Sequence, residues 1–165
     1  MEYRELGTTG ITVSPVGFGV LTVGSTQLNK SIEESAVLIR FALDLGINFF
    51  DTAQYYGTYP HIRAALRGRT EEPVLASKTL DPTARGMNEA IEEARQELDR
   101  DVIDIFMLHE VRAGGDFEMR SGAWEALQNA KAKGLVRAAG ISTHHVDVAE
   151  SPTRSEERRV GKECR

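Results

Sequence analysis

A single cysteine, Cys164, in 165 residues leaves no internal disulfide to form. This suits a reducing compartment, though many secreted chains share the trait. No long apolar run is present either. The stretch Ile103 to Leu108 is interrupted by Asp104, far short of the ~20 residues a transmembrane helix needs. The opening Met1-Glu2-Tyr3-Arg4-Glu5 lacks the basic-then-apolar order of a secretory leader, so a cytoplasmic protein is expected. Excess positive charge is missing as well: 20 Lys+Arg against 25 Asp+Glu give a net charge of −5. A phosphate backbone or an anionic membrane surface asks for the opposite sign, so neither nucleic acid nor membrane is expected as a partner. What remains, 41% hydrophobic and 27% charged residues, is ordinary globular composition for one domain or part of one.

The last twelve residues, Arg154 to Arg165, have no apolar period and replace a helix that starts at Val146. Read codon by codon, a common sequencing-adapter string translates to the same RSEERRVGKECR. The expected organisation is therefore a partial domain over 1–153 followed by a non-native tail over 154–165. Without the tail the chain carries 15 Lys+Arg, 22 Asp+Glu and no cysteine.

Tyr3–Leu6 and Ile11–Val13, separated by Gly7-Thr8-Thr9-Gly10, read as a short hairpin. Val16–Val20 follows as a first buried strand. Ser31 and Glu34 form a capping box ahead of a helix whose stripe is Ile32, Ala36, Ile39 and Leu43 and whose stop is Gly46. Ile47–Phe50 is the second strand. Pro60 opens a short helix with Ile62, Ala65 and Leu66 on its apolar side, and Val74–Ser77 is the third strand. Met87, Ile91, Ala94 and Leu98 give an amphipathic helix before the fourth strand, Val102–Leu108. Ala123, Leu127 and Ala130 mark another helix, ended by Gly134, and Leu135–Ile141 is the fifth strand. Strands alternating with helices imply a parallel sheet, and periodicity alone leaves a doubly wound sheet and a (β/α)₈ barrel both open. A barrel usually takes about 250 residues. A chain stopping after five strands would leave edges and interior exposed, and is expected to fold poorly or aggregate.

Ionisable and polar side chains come directly after the apolar strands: Asp51 after Phe50, Lys78 after Ser77, His109 after Leu108, Ser142 after Ile141. In parallel α/β folds these are carboxyl ends of strands, where active sites gather. Any strand must end in something polar. A carboxylate, an amine and an imidazole on consecutive strands are harder to dismiss. His61, His144 and His145 are read as surface or cap residues; adjacent histidines are not metal-ligand spacing on a helix face, and no metal is expected.

The run Ile47-Asn48-Phe49-Phe50-Asp51-Thr52-Ala53-Gln54-Tyr55-Tyr56-Gly57 resembles the signature of the aldo-keto reductase family. So do Val16-Gly17-Phe18-Gly19, Ala76-Ser77-Lys78-Thr79, Asp104 to His109 and Gly140-Ile141-Ser142, in order and at similar spacing over residues 1 to about 150. The resemblance implies a (β/α)₈ TIM barrel, here reaching only about the fifth strand, with an N-terminal β-hairpin. It also implies an oxidoreductase that moves a hydride between NADPH, or NADH, and the carbonyl of a small aldehyde or ketone. The Rossmann glycine fingerprint is absent, since Gly17 and Gly19 lack its full spacing.

The same resemblance implies a catalytic tetrad of Asp51, Tyr56, Lys78 and His109. Tyr56 is the general acid, a phenol that needs its proton affinity lowered from the ordinary ≈ 10 by a neighbouring cation. Lys78 is that neighbour, Asp51 holds the ammonium, and His109 orients the carbonyl and stabilises the oxyanion. Tyr55 is expected to pack as a rim aromatic. Asp51, Ser142 and Thr143 are the implied cofactor contacts. Many members carry asparagine where Thr143 stands, and the Ser-Thr-His run resembles a bacterial subgroup of which some members end in a ferredoxin-like cysteine cluster. Two other functions compete, a Schiff-base aldolase using Lys78 and a nucleotide-binding regulatory subunit of the same fold, and the 165-residue chain itself is expected to be inactive, the activity belonging to the longer parent enzyme. The carbonyl substrate and the oligomeric state are open.

Overall fold

The computed structural model describes residues 1–112 and 115–148, so the expected tail at 154–165 lies outside the described residues. Gly7 and Gly10 take left-handed φ of 57° and 68°, which a tight connection needs and only glycine adopts cheaply. They join β1 (Arg4–Glu5) to β2 (Thr12–Val13) as an antiparallel hairpin.

Five parallel strands follow: β3 (Phe18–Gly19), β4 (Phe49–Asp51), β5 (Val74–Thr79), β6 (Ile103–Leu108) and β7 (Val136–Ile141). Each lies beside its predecessor in chain order. A doubly wound sheet reverses its strand order at a switch point; this sheet has none, as a barrel wall requires. The helices are α1 (Ile32–Asp44), α2 (Tyr59–Leu66), α3 (Ala84–Leu98), α4 (Asp116–Met119) and α5 (Ser121–Ala132). Residues 146–148 are helical again. Among the described residues no helix is long and apolar enough to cross a membrane.

The stops and starts have the expected chemistry. Ser31 Oγ accepts from the Glu34 amide while Glu34 accepts from the Ser31 amide, the full capping box. Gly46, at φ 85°, turns the chain out of α1. The four residues of the α3 stripe are all at most 2% exposed, as their spacing dictates. In α1 the buried face is Ser35, Ala36, Ile39 and Ala42, rotated from the expected stripe, so that Ile32 is 40% exposed.

The first strand departs most from expectation. Val16 is exposed, only Phe18 and Gly19 pair with β4, and Val20–Val23 forms a 3₁₀ turn with Val20 and Val23 buried. Pairing with β4 ends at Gly19, where the chain turns into the 3₁₀ segment, so only two residues of the expected run are strand. The short helix α4 gave no apolar period to read.

The two faces of the sheet carry different cores. Helix residues Ile39, Ile62, Met87, Ile91 and Leu127 pack with Phe50, Leu75, Phe106 and Leu108 on the outer face. Val74, Ala76, Ile105 and Ala138, with Phe49 and Met107 beside them, form a second cluster that the hairpin covers through Ile11 and Val13. That inner face is the one toward a barrel axis. Its occupants are mostly small or β-branched at the hairpin end and become chemically active at the other.

Candidate active site

Side chains alternate across a strand, so the residue two positions beyond an inward one also points inward. Phe49 leads to Asp51, Ala76 to Lys78 and Met107 to His109, all above the inner cluster. The register adds a stagger. Asp51 pairs level with Ala76, and Lys78 with Met107, so each functional residue sits one pleat higher than the last, as tilted barrel strands require. Ser142 follows Ile141, which pairs with Leu108, and joins the same rim.

Tyr56 arrives by a different route. After β4, Gln54–Tyr56 forms a 3₁₀ turn closed by Gly57 in the left-handed region, φ 63°. The buried Thr52 and Thr58 hydroxyls bond at 2.6 Å across the base of this loop. The turn folds Tyr56 back over the strand ends while Tyr55 faces outward, 69% exposed. Tyr55 is therefore not the packed aromatic expected of it.

Within the site, Lys78 Nζ donates to Asp51 Oδ1 and to the Thr52 carbonyl, both at 2.7 Å. Its side chain is 7% exposed, that of Asp51 42%. The ammonium lies 5.2 Å from the centroid of the Tyr56 ring. The Tyr56 hydroxyl is 3.2 Å from His109 Nε2, the two rings meeting edge to face. Structure and sequence bring the four expected residues to one place.

Burial holds the Tyr56 phenol above its ordinary 10.0, and the Asp51 and Glu110 carboxylates push the same way. The phenol thus stays protonated at neutral pH. The Lys78 ammonium, held by Asp51 and the Thr52 carbonyl, is the cation beside the ring that favours the phenolate once the proton leaves. His109 is moved the other way: burial first, then the Lys78 cation, lower its proton affinity below 6.5.

His109 Nδ1 is buried with no partner among the described residues. An orphaned N–H is costlier and rarer than an orphaned acceptor, so the favoured neutral tautomer carries its proton on Nε2. That N–H faces the tyrosine oxygen. The phenol proton is then free to point elsewhere.

The lowered affinity of His109 has a sign in stability. Below pH 6.5 the unfolded chain binds a proton here more readily than the folded one, so the contribution is complete above 6.5 and is lost as pH falls through the lower folded value. The melting-temperature gap between wild type and His109→Gln is expected to shrink on acidification from pH 6.5. A gap independent of pH would contradict the neutral, buried ring.

Ser142 Oγ accepts from the Glu110 amide at 3.0 Å. Thr143 Oγ1 donates to the Val111 carbonyl at 2.6 Å and accepts from the His145 amide, so any further donation by Thr143 requires that first bond to open. Three residues around the site were not read from the sequence. Glu110, directly after His109, holds φ 52°, an uncommon conformation for a non-glycine residue. Gln54, inside the motif itself, accepts from Thr79 Oγ1 at 2.6 Å and donates to Glu93. Arg120 is buried beneath His109. Among the described residues no group of three or more His, Cys, Asp or Glu side chains could hold a metal.

A sequence model of the Aldo/keto reductase family matches residues 15–160. L-galactose dehydrogenase of Arabidopsis thaliana is 32% identical over 160 residues, covering 90% of this chain and 50% of that protein. 6-Dehydroglucose reductase of Novosphingobium aromaticivorans is 28% identical over 167 residues, covering 88% and 52%. Among solved structures, the holo form of an aldo-keto reductase from Bacillus halodurans superposes with a TM-score of 0.77 at 28% identity, over 91% of this chain and 53% of that one. The chain spans about half the length of the curated relatives it matches.

Proposed function

The chain belongs to the aldo/keto reductase family, and from that premise we propose that its protein transfers a hydride between a nicotinamide dinucleotide and the carbonyl of an aldehyde or ketone. The observation that carries the reading is the contact of the Tyr56 hydroxyl with His109 Nε2 at 3.2 Å, with the Lys78–Asp51 pair beside it. Donors and a proton source converge where a carbonyl oxygen gains charge.

The polar groups available suit a nicotinamide. Ser142 Oγ uses a lone pair on the Glu110 amide and donates to no described residue, so its proton is free for a carboxamide oxygen. Asp51 uses one oxygen on Lys78 and keeps the other at a half-open rim. NADPH, with NADH as the competing form, would supply the hydride when bound. His109 Nε2–H would orient the carbonyl, and Tyr56 would give its proton to the oxygen as charge develops there. Lys78 would stabilise the phenolate left behind, and Asp51 would keep the ammonium fixed.

As substrates we favour uncharged polyhydroxy carbonyls, of the kind named in the two relatives that act on sugars. The Asp51 oxygen not used by Lys78 and the Glu110 carboxylate could accept hydrogen bonds from substrate hydroxyls at this rim. The test is a carbonyl panel assayed with both cofactors on the encoded protein. Turnover of aldoses above alkyl aldehydes without hydroxyls is expected; cofactor binding with no turnover across the panel would sink the reductase reading and favour the regulatory one.

A further inference from the structure

Arg120 stands between α4 and α5, in a stretch that reads as an ordinary surface connection, Glu118-Met119-Arg120-Ser121. Its side chain is nevertheless 5% exposed. One terminal nitrogen donates to the His109 carbonyl at 2.8 Å and the other to the Thr79 carbonyl at 3.1 Å. Thr79 O also accepts the His109 amide at 2.9 Å. The three groups form a closed triangle at the ends of β5 and β6.

We infer that Arg120 is a positioning residue for the site, its guanidinium fork fixing the strand ends that carry Lys78 and His109. The inference rests on the reductase reading above. Burying a guanidinium is expensive, and here its nearest carboxylate, Asp116, is 3.8 Å away while Nε has no partner among the described residues. What this costly group does achieve is to fix two backbone carbonyls next to the chemistry. Thr79 extends the triangle: its hydroxyl donates to Gln54, and Gln54 in turn donates to Glu93 of α3. Gln54 begins the turn that ends in Tyr56. Acid and imidazole are thus referenced to one another through Gln54, Thr79 and Arg120, not only through their 3.2 Å contact.

The glutamate after His109 fits the same account. Glu110 is held at φ 52°, a conformation that persists only where the surroundings impose it. The His109 carbonyl on Arg120 fixes one side of that residue, and the Glu110 amide on Ser142 the other.

The test compares Arg120→Met, which removes both hydrogen bonds at similar length, with Arg120→Lys, which keeps the charge without the fork. In the encoded protein, Arg120→Met is expected to lower kcat ~100-fold with KM little changed, the effect of displacing a catalytic group by about an ångström. The charged groups facing His109 are Asp51 on β4, Lys78 on β5, its neighbour Glu110, and Arg120, with the Tyr56 phenol alongside. Only the last cation changes, so the His109 ring, followed by NMR, should titrate at higher pH in Arg120→Met. In Arg120→Lys the titration should stay near wild type while kcat still falls ~10-fold; this variant carries the test if the methionine protein does not fold. A loss confined to melting temperature, with kcat and His109 resonances unchanged in the folded variants, would overturn the inference. Lack of turnover in the wild type would fail the reductase reading alone, since the ring resonances still report whether Arg120 holds His109.

Discussion

Tyr56→Phe is expected to abolish carbonyl reduction, by up to ~10⁴-fold in kcat, the upper range for loss of a positioned general acid. The substitution deletes one hydroxyl whose partner is His109 Nε2, from a side chain only partly buried. Its cost to folding should be no more than about 1 kcal/mol, so loss of rate cannot be put down to loss of fold. The direction of the phenol's shift adds a second readout. Because burial and the two carboxylates hold it above 10.0, reduction should be insensitive to Tyr56 ionisation throughout the neutral range and fail only in strong alkali. The reverse oxidation, which needs the phenolate as base, should rise with pH over the same range. The assay follows the reduced cofactor's absorbance in each direction. A phenylalanine variant within ~10-fold of wild type would remove Tyr56 from the chemistry.

How much of this was legible in the sequence depends on the range of the interaction. β4, β5 and β6 are local objects, short apolar runs bounded by polar residues, and they lie within one or two residues of where the run Ile47–Phe50, Val74–Ser77 and Val102–Leu108 put them. Asp51, Lys78 and His109 followed because a strand's end and its alternation are both readable from neighbours. The parallel βα order was legible too. The choice of barrel over doubly wound sheet was not, since it lies in which strand pairs with which; the family resemblance supplied it.

What failed, failed for the same reason. Val16–Val20 has the composition of a buried strand, but the chain leaves the strand at Gly19 for a 3₁₀ turn that buries Val20 and Val23, a change of direction that composition does not signal. Tyr55 and Tyr56 are adjacent and alike in sequence, and the turn closed by Gly57 decides which one faces inward. Arg120 could not have been singled out at all: an arginine after a short polar stretch looks solvated, and only carbonyls 11 and 41 residues away in the chain make it buried. Lys78 is held between Asp51 and the Thr52 carbonyl, so its charge is fixed beside the Tyr56 ring.

That last point sharpens what Lys78→Met should do. With the ground-state phenol already protonated, the ammonium contributes when the proton leaves, because negative charge then appears on a ring whose centroid is 5.2 Å away. An interaction realised mainly as charge develops acts on kcat more than on KM, and its removal is expected to cost ~100- to 1000-fold in kcat. Stability should fall as well. The buried Thr52 carbonyl and Asp51 Oδ1 both lose their donor, but Asp51 is open enough to recover water, so the cost should be ~2 kcal/mol, below the ~3–5 of a fully buried broken pair. Adding Asp51→Leu removes the orphaned carboxylate. The double variant should therefore regain stability over Lys78→Met while remaining inactive, which separates the pair's structural part from its chemical one. Recovery of activity with stability would mean that Lys78 only holds the rim together. Covalent trapping of a carbonyl substrate on Lys78 by borohydride in the wild type would instead require a neutral amine, and would replace hydride transfer with Schiff-base chemistry.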